Sequence, residues 1–285
     1  MGTVLRNELI ILSKDIPAWS STEFSWCNTS DPKLQKIFFE NVLSIKQSVE
    51  LSTRLLCNTF YELNSPISQL LPKMLPVGPL LTSDEQTRST GSLRLHDSTC
   101  WNWLNEQLVV TAVFSQHQFL ELALGLELAG KAVKESSLDL TNRSFAEYPD
   151  GFKGKVASWG KIVEWAPQEK VLGHPAIACF FTHCGWNSTM EGVSSGVPFL
   201  CWPYFGDQFH NRSYICDVWK VGLRLEYDEN KIVSRHEIKN KIEKLVSDDD
   251  MKVNSLKLKE IARKSIEKGG SSCKNLERFV QHLKK

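Results

Sequence analysis

Apolar segments that alternate with helix-like segments are the feature that most constrains how this chain folds. Ala176–Phe181 and Val197–Cys201 are short, uncharged and apolar, as buried strands are. Helical patterns follow them at Ser188–Ser195 and Gln208–Trp219. This alternation predicts a parallel sheet with helices on both faces, and such sheets bind ligands where the strands end and the helices begin.

The rest of the C-terminal part continues the same alternation. The pattern predicts a helix at Asp97–Gln107, a strand at Leu108–Phe114, a helix at Gln116–Ala129, a loop at Lys131–Asp150, a short strand at Lys161–Glu164 and a helical turn after Pro167. From Ser234 onward the pattern is helical, with a break at Gly269-Gly270.

The first eighty residues predict part of a separate α/β unit. Asp31 followed by Pro32 is a favourable helix start, because an aspartate can cap the helix and proline fits its first turn. Apolar residues recur at helical spacing as far as Val49, and Leu55–Cys57 has the composition of a short buried strand. The polar stretch Thr82–Gly91 has the composition of a linker, so we predict a domain boundary there.

The near-neutral charge argues against two classes of partner. Lysine and arginine total 34 against 33 acidic residues, a formal charge of +1, which predicts no binding to nucleic acid or to anionic membranes. The apolar runs are also shorter than a membrane span requires. The eight cysteines include no Cys-x-x-Cys pair and no zinc spacing, which favours buried thiols in a reducing compartment and predicts a cytoplasmic protein.

A strand-to-helix turn that starts at His183 is the most informative local feature. The chain leaves an apolar strand, turns through Gly185 and enters a helix that Asn187 or Ser188 can cap. The free N–H groups and the positive end of such a helix suit an anion such as a diphosphate, and the imidazole of His183 can add a donor. A plain capping box, in which Ser188 pairs with Glu191, is the alternative for the same residues.

A longer pattern surrounds this turn. In chain order it contains Trp165-Ala166-Pro167-Gln168, His183-Cys184-Gly185-Trp186-Asn187-Ser188, Glu191, Gly196 with Pro198, Pro203, and Asp207-Gln208. In length and at each of these positions, the pattern closely resembles the signature box of plant family-1 UDP-dependent glycosyltransferases. Leu122–Glu127 and Gly269–Ser272 resemble the same family, and the resemblance extends from about Leu9 onward.

The resemblance implies an α/β fold of GT-B type. In that fold a doubly wound parallel sheet binds the UDP-sugar donor, and another α/β domain binds the acceptor. For this chain it implies a remnant of the N-terminal acceptor-side domain at 1–81, a linker at 82–95, a Rossmann-like donor domain at 96–270, and a C-terminal helix at 271–285 that packs toward the N-terminal part.

The resemblance also implies which residues hold the nucleoside. Trp165 would stack on the uracil ring, and the backbone of Ala166 would hydrogen-bond the edge of that ring. Gln168 and Glu191 would hold the ribose hydroxyls, since a carboxylate suits a vicinal diol.

For the diphosphate, the resemblance implies His183, Asn187 and Ser188 as ligands. Gly185 would let the backbone approach the phosphates closely. The helix that starts here and the histidine would together supply the positive charge that a departing diphosphate requires, so no metal and no further cofactor is expected.

Trp186, Asp207 and Gln208 would face the sugar, and a glutamine at the end of the box accompanies glucose more often than galactose. The implied reaction is transfer of a hexose, expected to be glucose, from a UDP-sugar to a hydroxyl of a small lipophilic metabolite, with inversion of the anomeric centre. That reaction also needs a general base to take the proton of the acceptor hydroxyl.

The chain departs from the family at the residue that would act as the general base. Family members carry a catalytic histidine near their N-terminus, whereas Gly2–Leu80 resembles the closing third of their first domain. We therefore expect no catalytic base in this chain and weak or no turnover from it. A non-catalytic fragment that binds UDP-sugar is the alternative, and a purely structural α/β domain with a vestigial box is a third reading.

Two strands of the donor domain also depart from the family pattern. The strand before Gln116 is short and lacks the glycine of the family, and the segment Lys131–Leu138 is polar where the family has an apolar strand. A sheet that lacks two adjacent strands is expected to expose apolar edges and helix faces.

Overall fold

The computed structural model describes most of the chain. It covers residues 8–27, 31–81, 109–111, 115–130, 151–152, 154 and 167–284, with only the backbone described at 109–111. The predictions made for 82–108, 131–150 and Lys161–Glu164 lie outside these residues.

Two small sheets lie in the N-terminal part. Strands β1 (Leu9–Ile10) and β2 (Trp19–Ser20) pair antiparallel. Strands β3 (Leu55–Cys57) and β4 (Met74–Pro76) pair parallel, and helix α2 (Ser65–Leu70) connects them. This β-α-β unit confirms the strand predicted at Leu55–Cys57.

Helix α1 (Pro32–Leu51) starts where the sequence predicts a helix. The carboxylate of Asp31 accepts a hydrogen bond from the N–H of Lys33 at 2.8 Å, which satisfies one of the donors that a helix start leaves free. None of the residues of α1 is buried, and Ile37 is 57% exposed. The apolar periodicity therefore predicts the helix correctly, but the described residues leave its apolar side largely uncovered.

Four parallel strands form the main sheet, in the order β5 (Val109–Thr111), β6 (Phe180–Thr182), β7 (Phe199–Cys201) and β8 (Gly222–Arg224). Strands β6 and β7 are the two apolar segments from which a parallel sheet is predicted. The α/β class with a parallel sheet is thereby confirmed. Strand β5 pairs with β6, so one of the two strands expected to be missing is present as a short strand.

The helices follow the predicted alternation. In chain order they are α3 (Gln116–Leu128), α4 (Gln168–Leu172), α5 (Trp186–Ser195), α6 (Gln208–Ser213), α7 (Arg235–Ser247), α8 (Asp249–Ile266) and α9 (Ser271–Leu283). A π-helical turn at Tyr214–Val218 continues α6, and Gly269, at φ +88°, lies at the predicted break between α8 and α9. None of the described helices is both long enough and apolar enough to cross a membrane.

Two apolar clusters cover the opposite faces of the main sheet, because successive side chains of a strand point to opposite faces. Phe180 and Phe199 belong to the cluster that includes residues of α5 and α8. Phe181 and Leu200, one position further along the same strands, belong to the cluster that includes residues of α3 and α7. The sheet is thus buried on both sides, and its strand ends are held in fixed positions.

Helix α9 runs back to the N-terminal part. The amide of Asn275 donates to the carbonyl of Pro76 at 2.9 Å, and the hydroxyl of Ser272 donates to the carbonyl of Gly78 at 2.5 Å. Both acceptors lie at or just after the end of β4. The C-terminal helix and the N-terminal β-α-β unit are therefore in direct contact.

Candidate functional site

The strand-to-helix turn between β6 and α5 has a strained backbone. Cys184, which is fully buried, adopts φ +67°, a conformation that residues with a Cβ rarely adopt. The hydroxyl of Thr182 accepts from the N–H of Cys184 at 3.2 Å, and the side-chain amide of Asn211 donates to the carbonyl of Cys184 at 2.8 Å. Hydrogen bonds on both sides of the residue therefore hold the turn in this conformation.

The imidazole of His183 lies against Gly185. A Cβ at Gly185 would come within 2.5 Å of Nε2 of His183, so a larger residue cannot be placed there without moving the ring. The ring of Tyr204 lies 6.0 Å away from that of His183, measured between centroids. The glycine thus allows a half-buried histidine to lie directly beside the start of α5.

The residue that caps α5 is Gly185, which corrects the prediction from sequence. Asn187 and Ser188 lie in the first turn of the helix and do not cap it. The first hydrogen bond of the helix runs from the N–H of Thr189 to the carbonyl of Gly185 at 2.9 Å. The N–H groups of 186–188 therefore precede the intrahelical ladder, at the positive end of the helix dipole.

The capping box that was the alternative reading does not form. Glu191 accepts a hydrogen bond from the side-chain amide of Gln168, the first residue of α4, and the same amide donates to the hydroxyl of Ser188 at 3.2 Å. Burial raises the pKa of the Glu191 carboxyl; the hydrogen bond from Gln168 opposes this rise and the charge of Glu169 adds to it. The structure thus brings together Gln168, Ser188 and Glu191 across two helices.

Gln208 and Asp207 lie at the start of α6. The amide oxygen of Gln208, a residue only 7% exposed, accepts from the N–H groups of Tyr204 and Phe205 at 2.9 Å each. Asp207 occupies the cap position of α6 without a capping hydrogen bond, and its carboxylate instead accepts from Asn211 at 2.9 Å. Asp207 is exposed, so its carboxylate remains open to a ligand.

The indole of Trp186 is used within the protein. Its N–H donates to the backbone carbonyl of Asn58 at 2.7 Å, and its ring packs against the core cluster below α5. The side-chain amide of Asn58 also donates to Asn187 at 3.4 Å. These contacts join the loop after β3 to the first turn of α5, and the sugar-facing role of Trp186 stays a prediction.

Two residues of this arrangement were missed by the sequence reasoning. Asn211 lies four positions after Asp207, and this spacing on a helix could have indicated their contact. Asn58 carries no sequence signal, because its partners lie far away along the chain. Trp165 and Ala166 lie outside the described residues. Among the residues that are described, no group of three or more metal-ligating side chains is present.

Comparison with known proteins agrees with this architecture. The profile of the family described as UDP-glucoronosyl and UDP-glucosyl transferase matches residues 144–267. UDP-glycosyltransferase 83A1 of Arabidopsis thaliana is 39% identical over 99% of this chain. The limonoid UDP-glucosyltransferase of Citrus unshiu is 36% identical over 81% of it. The chain spans 62% and 49% of the length of these two relatives, respectively.

Solved structures show the same fold. The structure of Phytolacca americana UGT2 complexed with UDP-2fluoro-glucose and pterostilbene matches 98% of this chain and 63% of its own, with a TM-score of 0.80 and 26% identity. Os79 from O. sativa in complex with UDP matches 88% of this chain and 60% of its own, with a TM-score of 0.76 and 28% identity. In its sequence, its parallel sheet and the residues of its strand-to-helix turn, the chain is similar to the plant UDP-glycosyltransferases.

Proposed function

We propose that this chain binds a UDP-sugar at the turn between β6 and α5. The observation that carries the proposal is the position of His183, whose imidazole lies against Gly185 beside the N-terminus of α5. The N–H groups of 186–188 and the hydroxyl of Ser188 lie in the same first turn. Together they form the kind of amide-rich, positively polarised surface that binds a diphosphate.

The ribose would lie between α4 and α5. Gln168 and Glu191 are already joined by a hydrogen bond, so the two side chains proposed for the ribose hydroxyls are in place before a ligand arrives. Pre-formed contacts of this kind reduce the entropy that binding costs. Trp165 and Ala166 are proposed to hold the uracil, on the resemblance alone.

The sugar would meet Asp207 and Gln208. Because the oxygen of the Gln208 amide already accepts two backbone N–H groups, the amide nitrogen is the part proposed to contact the sugar. The exposed carboxylate of Asp207 is the proposed acceptor for sugar hydroxyls. Glucose is the sugar we propose, from the glutamine at the end of the signature box.

The reaction proposed is that of the family. An acceptor hydroxyl oxygen forms a bond to the anomeric carbon, the bond from that carbon to UDP breaks, and the configuration inverts. The acceptor would be a small lipophilic metabolite. In this step the residues around His183 would stabilise the negative charge that collects on the diphosphate, which is the part of the chemistry that the described site can perform.

Binding without transfer is the second candidate function. The chain spans 62% of the Arabidopsis relative and 49% of the Citrus relative, so a large part of each has no counterpart here. The transfer also needs a general base, which the resemblance implies is a histidine near the N-terminus of family members. Donor binding without transfer is therefore our second proposal for the residues of this chain.

Calorimetry with UDP tests the binding. His183→Ala is expected to weaken the affinity for UDP roughly tenfold or more, because it removes a donor to a charged group. His236→Ala removes an exposed histidine of α7 and serves as the matched control, with no change expected. Absence of UDP binding by the unaltered chain, or equal effects of the two variants, contradicts the proposal.

A product assay separates the two candidates. The chain is incubated with UDP-glucose and a lipophilic phenol, and glucoside formation is compared with that of His183→Ala. Glucoside above this control shows transfer, whereas UDP binding without glucoside supports the second candidate.

A further inference from the structure

Asn211 is a buried residue, 6% exposed, that contacts two separate parts of the candidate site. Its side-chain nitrogen donates to the backbone carbonyl of Cys184 at 2.8 Å and to the carboxylate of Asp207 at 2.9 Å. A side-chain NH₂ group has two protons, so these two bonds use its full donor capacity.

The first contact holds the turn that faces the diphosphate. Cys184 lies in the left-handed region at φ +67°, and such a conformation persists only where the surroundings impose it. The peptide between Cys184 and Gly185 leads directly into α5. The carbonyl that Asn211 holds therefore fixes the direction in which the first N–H groups of α5 point.

The second contact holds the carboxylate that faces the sugar. Asp207 is exposed and its side chain makes no capping bond, so the bond from Asn211 is what orients it among the described contacts. One carboxylate oxygen accepts this bond and the other is left for a ligand. A freely rotating carboxylate would lose conformational entropy when a sugar binds, and an oriented one loses less.

We propose that Asn211 is a positioning residue that couples the diphosphate turn to the carboxylate of Asp207. The inference rests on the proposed function, since it assigns Asn211 to the same donor site. An effect on the turn reaches Asp207 through a single side chain, and the reverse also holds. UDP-glucose would contact both the turn and the carboxylate of Asp207, whereas UDP would contact only the turn. The affinity for UDP-glucose should therefore depend on Asn211 more strongly than the affinity for UDP.

Three variants separate this role from simple packing. Asn211→Asp keeps the shape of the side chain and removes both donors, whereas Asn211→Leu removes its polarity. Ser213→Ala is the matched control, because Ser213 lies in the same helix, is equally buried, and donates only to the carbonyl of Phe209 at 3.1 Å.

Amide hydrogen exchange tests the positioning without any ligand. Peptides that cover 183–189 should exchange roughly tenfold faster in both Asn211 variants than in the unaltered chain. In Ser213→Ala the exchange rate of these peptides should be unchanged. Peptides that cover β7 report whether the sheet remains folded. If 183–189 exchanges at the same rate in all four proteins, the positioning role is overturned, whether or not the chain binds UDP.

Calorimetry then tests the coupling. Both Asn211 variants should weaken UDP about tenfold, and should weaken UDP-glucose by a clearly larger factor. Equal losses for the two ligands overturn the coupling to Asp207. Failure of the unaltered chain to bind UDP overturns the proposed function and the coupling with it, while the exchange rates still decide whether Asn211 holds the turn.

Discussion

The side-chain amide of Gln168 donates a hydrogen bond to the carboxylate of Glu191, and this bond joins α4 to the helix that follows the turn. Glu191 is half-buried, so its carboxylate is partly shielded from bulk water. A buried carboxylate with one amide donor has acceptor capacity left over, which is what a pair of adjacent hydroxyls requires. The pair is therefore a candidate ribose-binding unit that is assembled before a ligand binds.

Glu191→Gln is expected to weaken UDP binding roughly tenfold, because the ribose hydroxyls lose a charged acceptor while the side chain keeps its size. Calorimetry with UDP measures the effect. Glu229→Gln, in an exposed turn after β8, is the control and should leave the affinity unchanged. An unaltered affinity in Glu191→Gln would remove Glu191 from the proposed site.

Glu191 should also make the stability of the fold depend on pH. Its pKa is raised above the ordinary value of 4.5, chiefly by burial, so the folded state holds this proton more tightly than the unfolded state. The resulting stabilisation is complete below the unfolded value and is lost as the pH rises through the folded pKa. Urea unfolding of the unaltered chain and of Glu191→Gln, from about pH 4 to about pH 8, isolates this contribution. As the pH rises, the unaltered chain should lose stability relative to the variant, so the difference between their free energies of unfolding should change. A difference that stays constant with pH would contradict the raised pKa.

Gly185→Ala should impair UDP binding more than it impairs folding. The added methyl group would meet Nε2 of His183 at 2.5 Å, and the tip of a side chain can move away from such a contact. The imidazole is then displaced from the helix start, so the affinity for UDP should fall roughly tenfold, as for the loss of a charged hydrogen bond. Gly154→Ala is the control, since a Cβ there meets no atom of the described residues within 4 Å. Thermal unfolding and calorimetry on both variants make the comparison. Equal UDP affinities would show that a glycine at 185 is not needed to make room for the imidazole of His183.

Local sequence predicts much of the fold, but it predicts fewer of the details of the candidate site. The apolar runs around Phe180 and Phe199 predict β6 and β7, because a buried strand needs an uninterrupted apolar segment. The sequence predicts the start of α5 two residues too late, because Asn187 and Ser188 are good caps by composition. The left-handed backbone at Cys184 starts the helix earlier, and no local preference of cysteine predicts that conformation.

Contacts between distant segments account for most of what the sequence could not predict. The bond from Trp186 to Asn58 joins residues 128 positions apart, and neither residue has a local pattern that identifies its partner. Asn211 and Asp207 are four positions apart on one helix turn, so their contact was open to prediction. The second bond of Asn211, to Cys184, depends on how α6 packs beneath the turn, and only the folded chain supplies that information.

The bond between Trp186 and Asn58 predicts a specific effect on stability. Trp186→Phe keeps an aromatic ring against the core but removes the N–H that donates to the Asn58 carbonyl at 2.7 Å. The variant should lose about 1 kcal/mol of unfolding free energy, the usual contribution of one hydrogen bond, and somewhat more if the carbonyl stays buried without a donor. Trp219→Phe is the matched control, because the indole N–H of Trp219 is buried and has no hydrogen-bond partner among the described residues, so its removal should be neutral or stabilising. Urea unfolding of both variants gives the two free energies, and an equal loss in the two would mean that the bond to Asn58 does not hold the N-terminal loop against α5.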